Sequence, residues 1–70
     1  MNTLTPKEHV YLEEALRLEN LCVAKYNVYA DKCQDDDLKA ALFSMSKNKR
    51  RNANRIIQLL KQPASPQYSQ

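Results

Sequence analysis

Few residues of this chain are of types that carry catalytic or metal chemistry. The 70 residues include one histidine, His9, and two cysteines, Cys22 and Cys33. A single histidine at a helix start cannot complete a Ser/His/Asp or Cys/His arrangement. The acidic neighbours Glu13 and Glu14 both face solvent by helical phase. We therefore predict that the chain is not an enzyme and binds no cofactor.

The most heavily charged stretch is SMSKNKRRNANR, residues 44–55. It has no acidic residue and five basic ones: Lys47, Lys49, Arg50, Arg51 and Arg55. Such a run is typical of a nucleic-acid patch, but a dedicated binder usually has a stronger basic bias than a net charge of +3. The chain also contains no glycine, which excludes glycine-rich phosphate loops. The direction of each charge depends on the helices that carry the run.

Two long helices account for most of the sequence. Thr5 and Glu8 form the Thr-x-x-Glu capping box, with Pro6 at the first helical position. Asp35 or Asp36 can cap a second helix. The acidic run 35–37 could also attract a divalent cation, although capping and the helix dipole explain it more simply. We predict a lead and cap at 1–5, a helical hairpin at 6–61 with helices at 6–33 and 36–61, and a flexible tail at 62–70.

Apolar residues recur in helical phase along both helices. On the first helix they are Tyr11, Leu12, Ala15, Leu16, Leu18, Cys22, Val23, Tyr26, Tyr29, Ala30 and Cys33. On the second they are Leu38, Ala41, Leu42, Met45, Ala53, Ile56, Leu59 and Leu60. Since the link is short, the helices must fold back antiparallel.

The first stripe is wider than one neighbour can cover, and Val10, Leu21 and Val28 add a second seam. We predict an all-α antiparallel two-helix hairpin that dimerises about a two-fold axis into a four-helix bundle. Alternatively, the stripes bind another protein.

Polar residues interrupt these apolar stripes at one level of the hairpin. Glu19 lies within the apolar arc of the first helix, and Lys49 and Asn52 interrupt the stripe of the second. Folding the hairpin at its link brings position 19 level with the other two. An unpaired buried carboxylate is costly, so we predict a buried polar layer of Glu19, Lys49 and Asn52, helped by the Tyr26 hydroxyl. Such a layer fixes register and partner choice. A ligand site in the bundle core and a wet rim position are the alternatives.

The charged run is therefore divided. Lys49 and Asn52 point inward, and the other cations form a solvated outer face. This outer face supports an alternative function, a small hairpin dimer that binds RNA or DNA, although the mild net charge disfavours it. The residues concerned are Lys47, Arg50, Arg51 and Arg55.

The segment from LTPKEHVYLEEALRLENL through KYNVYADKC and the acidic break before LK to NRIIQLL resembles the spore coat protein F-like family. The resemblance covers residues 4–60 and implies a ferritin-like helical fold. In metal-binding bundles of this type the ligands are inward glutamates and Glu-x-x-His pairs. Here Cys22 stands three residues after Glu19, and Lys49 and Asn52 stand where relatives often have histidines. The resemblance therefore implies the fold without a metal site.

From these features we predict a non-catalytic structural or assembly protein. The expected partners are a second copy of the chain and other coat or assembly proteins. The N-terminus lacks a basic-then-apolar leader, and no stretch reaches the roughly 18 apolar residues of a membrane span. We therefore expect an intracellular protein with free thiols, which the resemblance would place in the mother-cell cytoplasm or the spore coat.

Overall fold

The structure, a computed structural model, describes residues 4–62 and contains two helices there. Helix α1 spans Pro6–Lys32 and helix α2 spans Asp36–Leu60. Each is one residue shorter at its C-terminus than predicted, because Cys33 and Lys61 are the C-caps. The helices pack against each other along their lengths. This is the expected helical hairpin; the expected tail lies, from residue 63 onward, outside the described residues.

The start of α1 is fixed by two reciprocal hydrogen bonds. Thr5 is extended, with φ −70° and ψ 159°. Its hydroxyl Oγ1 accepts from the Glu8 backbone N–H at 3.1 Å, and the Glu8 Oε1 accepts from the Thr5 N–H at 3.0 Å. The sequence-predicted capping box is therefore present, with Pro6 where its missing N–H costs nothing.

A three-residue connection, 33–35, reverses the chain between the helices. The Cys33 N–H donates to the Ala30 carbonyl at 3.2 Å. Asp35 caps α2, and its Oδ1 accepts from the Leu38 N–H at 2.8 Å. Asp36 and Asp37 occupy the first turn, where carboxylates interact favourably with the helix dipole. The acidic run thus acts in capping.

The two helices meet along positions spaced alternately three and four residues apart. All of these residues are buried or half-buried. On α1 they are Leu12, Leu16, Glu19, Val23, Tyr26 and Ala30, and on α2 they are Leu42, Ser46, Lys49, Ala53, Ile56 and Leu60. A 3–4 spacing is the heptad pattern of coiled coils, which keeps one stripe of each helix facing its neighbour. We call these residues the hairpin seam.

The seam differs from the predicted core face of α2. Leu38 and Met45 were expected inside but are 52% and 43% exposed, and Ala41 is exposed as well. Ser46, which the prediction omitted, is 4% exposed. The prediction merged two stripes that lie about a quarter turn apart on the helix. One stripe faces α1, and the other has no neighbour within the hairpin.

The hairpin buries few side chains completely. Five of the described residues are buried, and most of them are small: Leu4, Val23, Ala30, Ser46 and Ala53. Ten larger apolar side chains remain well exposed. A single pair of helices covers only one side of each helix, so much of the apolar surface of residues 4–62 has no neighbour among those residues.

Candidate assembly face and polar cluster

Glu19, Lys49 and Asn52 lie together at the middle of the seam. The Lys49 Nζ is 3.6 Å from the Glu19 Oε1. The Asn52 Nδ2 donates to the same oxygen at 3.4 Å. Both distances are long for strong contacts, so the cluster is loosely paired. We call these three residues the polar cluster.

The sequence predicts a buried polar layer, but the polar cluster is only half-buried. The side chains of Glu19 and Lys49 are 20% and 33% exposed, and Asn52 is exposed. The reason is that the two helices enclose the cluster on one side only. Tyr26 is half-buried and packs edge-on against Tyr29, with ring centroids 6.5 Å apart. Within residues 4–62 its hydroxyl makes no hydrogen bond to the cluster, so Tyr26 is not a member of it.

The chemistry of the polar cluster is that of an ion pair. The ammonium of Lys49 supplies the positive charge that a metal ion would supply to Glu19. Across the described residues, no three His, Cys, Asp or Glu side chains come close enough together to hold a metal ion. His9 is near the N-terminus, where its Nδ1 is 3.7 Å from the Glu13 Oε2. Cys22 is a free, half-buried thiol.

A broad apolar surface lies on one side of the hairpin, about a quarter turn from the seam on both helices. Leu18 and Tyr11 of α1 are its most exposed members, at 62% and 59%. A shallow groove lined by both Tyr11 and Leu59 places the stripes of the two helices on the same side. We call this surface the assembly face. Its main side chains are Tyr11, Leu18 and Tyr29 of α1 and Leu38, Met45 and Leu59 of α2.

The assembly face is large for a surface that no other part of the described hairpin covers. A tyrosine buries about 150–250 Å² when fully enclosed, and the face has two half-exposed tyrosines beside leucine and methionine. These side chains expose on the order of 500 Å² of apolar surface, at the upper end of what monomeric proteins carry and within the range that marks interaction sites. The exposed side of Asn52 lies on this face, so the polar cluster reaches it too.

The predicted second seam of α1 lies elsewhere. Val10, Leu21 and Val28 are 51%, 51% and 47% exposed and line the side of α1 that faces away from α2. Leu18 and Leu21 line one groove together with Glu14 and Arg17, so this second seam borders the assembly face at Leu18. The centres of the two apolar surfaces lie about a quarter turn apart on α1.

The four cations of the predicted outer face are all exposed on α2: Lys47, Arg50, Arg51 and Arg55. Lys49 points into the seam, away from them. Arg51 makes one local contact, in which its Nη1 donates to the Asn48 Oδ1 at 3.5 Å.

Comparison of the chain with protein-family models, with curated proteins and with solved structures gives no match. The resemblance to the spore coat F-like family therefore rests on the sequence motifs alone. Neither of the described helices combines the length and the apolar character needed to cross a bilayer.

Proposed function

We propose that this chain is a non-catalytic structural or assembly protein that acts as a homodimeric four-helix bundle. The observation that carries the proposal is the assembly face. It runs along both helices, it is apolar, and the hairpin provides nothing to cover it. A helix with apolar side chains on two sides requires two neighbours, and each helix of a four-helix bundle has two.

A second copy of the chain is the partner that fits this face. A two-fold dimer presents the same patch from both subunits, so each tyrosine and leucine meets apolar surface of matching length. The face exposes on the order of 500 Å² of apolar side chain, and a standard interface buries about 800 Å² per partner including its polar rim. The difference between these two areas is the area that the polar rim of a standard interface would occupy.

The polar cluster gives such a dimer its register. Docking at the assembly face covers the exposed side of Asn52 and lowers the exposure of Glu19 and Lys49. Once desolvated, a polar group must keep its partners, so sliding one subunit along the other is costly. This is the role of isolated polar positions in coiled-coil interfaces.

The resemblance to the spore coat F-like family supports a structural role in the coat, or in the mother-cell cytoplasm that builds it. It also supports a ferritin-like arrangement of the four helices. In this proposal the Lys49–Glu19 ion pair serves the register of the bundle and not catalysis. The protein therefore contributes its surface and its assembly.

Light scattering on the purified chain tests the dimer. A monomer has a mass of 8.1 kDa, so the expected mass is about 16 kDa. A mass of one chain across the accessible concentration range contradicts the proposal. The coat role needs a separate test, in which antibodies locate the protein in fractions of sporulating cells. If a dimer is found in vegetative cells only, the coat role fails and the dimer stands.

A further inference from the structure

The mild net charge of this chain conceals a strong segregation. All 8 acidic residues occur at or before Asp37, together with 4 of the 11 basic ones. The remaining 7 basic residues follow Asp37, with no acidic residue among them. Since Asp37 lies in the first turn of α2, every charged residue in the rest of this helix is basic. Charge asymmetry of this kind between two halves of a chain favours an anionic partner.

The cations converge on the side of α2 that faces away from α1. From Ser44 to Gln58, helical phase brings seven residues to this side, and all of them are polar and exposed. They are Ser44, Lys47, Asn48, Arg51, Asn54, Arg55 and Gln58. Arg50 is exposed directly beside them. We call Lys47, Arg50, Arg51 and Arg55 the basic face.

The charges of the basic face are not compensated within the described hairpin. The ion pairs among residues 4–62 are His9–Glu13 and Lys49–Glu19, and neither involves a cation of this face. The carboxylates of α1 are on the other helix, beyond the seam. The four side chains therefore combine into one positive potential that attracts a polyanion.

We propose that the basic face binds the phosphate backbone of a nucleic acid. Guanidinium groups donate two parallel hydrogen bonds to a phosphate, and asparagine, glutamine and serine side chains are common phosphate donors. The rise from Lys47 to Arg55 is about 12 Å. Along the axis of a duplex, where each strand has one phosphate per about 3.4 Å, that length covers three to four phosphates.

The composition of the face distinguishes a nucleic acid from a lipid surface. A helix that lies on a membrane inserts an apolar side into the acyl region. Between Ser44 and Gln58 the seven residues of α2 opposite the seam include no apolar one; Ile57, 38% exposed, lies at their edge beside Arg50. The assembly face lies on another side of the helix. Both surfaces can therefore be occupied in one dimer, and a failure of either proposal leaves the other intact.

The test is the salt dependence of binding of the full chain to a short labelled single-stranded RNA of mixed sequence and to a DNA duplex. Four phosphate contacts give a slope of log affinity against log salt of about −3 for the single strand and about −3.6 for the duplex. Between about 50 and about 200 mM salt the affinity should fall roughly 50- to 150-fold. No association at low salt overturns the proposal.

A matched pair of variants separates the face from net charge. Arg50→Gln/Arg51→Gln/Arg55→Gln removes three charges from the basic face, and Lys7→Gln/Lys25→Gln/Lys32→Gln removes three from exposed positions of α1. The arginine variant should reduce the slope to about −1, and the lysine variant should leave it within about half a unit. Equal losses in the two variants contradict the proposal.

Two further measurements identify the anion. Polyglutamate at equal charge and vesicles containing anionic lipid should both bind far more weakly than the RNA. Equal or tighter binding of either one assigns the face to an acidic protein or to a membrane and overturns the proposal. Circular dichroism and light scattering on both variants check that the fold and the mass are unchanged.

Discussion

Truncation of Leu18 to alanine is the sharpest test of the assembly face. Leu18 is 62% exposed in the single hairpin, so the change barely affects the packing of α1 on α2. Full burial of a leucine is worth about 1.5–3 kcal/mol. The part still available for burial in a dimer, less what alanine retains, is about 1–1.5 kcal/mol per subunit.

A two-fold dimer contains the substitution twice, so its free energy of association should weaken by about 2–3 kcal/mol. The dissociation constant of Leu18→Ala should therefore rise about 30- to 150-fold. Analytical ultracentrifugation over a dilution series measures it. Helicity at high concentration should not change, because leucine and alanine are both good helix formers.

Val28→Ala is the control. Val28 is an apolar residue of the same helix and is 47% exposed, but it lies on the side of α1 away from α2 and outside the groove that Leu18 lines. Its dissociation constant should stay within a few-fold of that of the parent chain. If Val28→Ala weakens the dimer as much as Leu18→Ala, or if Leu18→Ala has no effect, the assignment of the face is wrong.

Three further predictions concern the hairpin and are measured by thermal or urea unfolding at matched protein concentration. Glu19→Ala should lower the free energy of unfolding by about 0.5–1 kcal/mol, because it removes the partner of the half-buried Lys49. Glu13→Ala at an exposed position should change it clearly less, and equal effects contradict the role of the polar cluster. Asp35→Ala should lower the free energy of unfolding by about 1 kcal/mol, because the Leu38 N–H loses its capping acceptor. Asp37→Ala should lower it clearly less, and the reverse order argues against Asp35 as N-cap. Ser46→Leu should cost about 1–3 kcal/mol by overpacking a seam position that is 4% exposed, and a gain in stability would place Ser46 outside the seam.

The helices and their boundaries are the part of the fold most accessible from sequence. Thr5, Glu8 and Asp35 determine helix starts through hydrogen bonds to backbone groups three residues away. Such contacts are local and depend on a short stretch of sequence. The shortness of the link then leaves an antiparallel hairpin as the only compact arrangement.

The polar cluster could be predicted from sequence for a related reason. Glu19 stands out in an apolar arc, and an antiparallel fold about a short link places it level with Lys49 and Asn52. The degree of burial of the cluster could not be predicted, because exposure depends on how many neighbouring elements enclose the position. Tyr26 was assigned to the cluster by proximity in phase, yet the direction of its ring is set by packing against Tyr29.

The choice of seam on α2 required the tertiary structure. Hydrophobicity alone favours Leu38 and Met45 over Ser46, but the seam takes Ser46. A two-helix seam must follow one stripe along the whole contact, and the stripe through Leu42, Ser46 and Ala53 keeps the 3–4 spacing that matches α1. The displaced apolar residues become part of the assembly face.

The sequence by itself determined two capped helices, their antiparallel hairpin and the level at which Glu19 meets α2, since each of these follows from local hydrogen bonding or chain connectivity. Only the tertiary structure decided which stripe of each helix faces the other, because that choice is a property of the pair. The same choice leaves the assembly face on one side and turns Lys47, Arg51 and Arg55 away from α1. The surfaces proposed here for dimerisation and for nucleic-acid binding both follow from it.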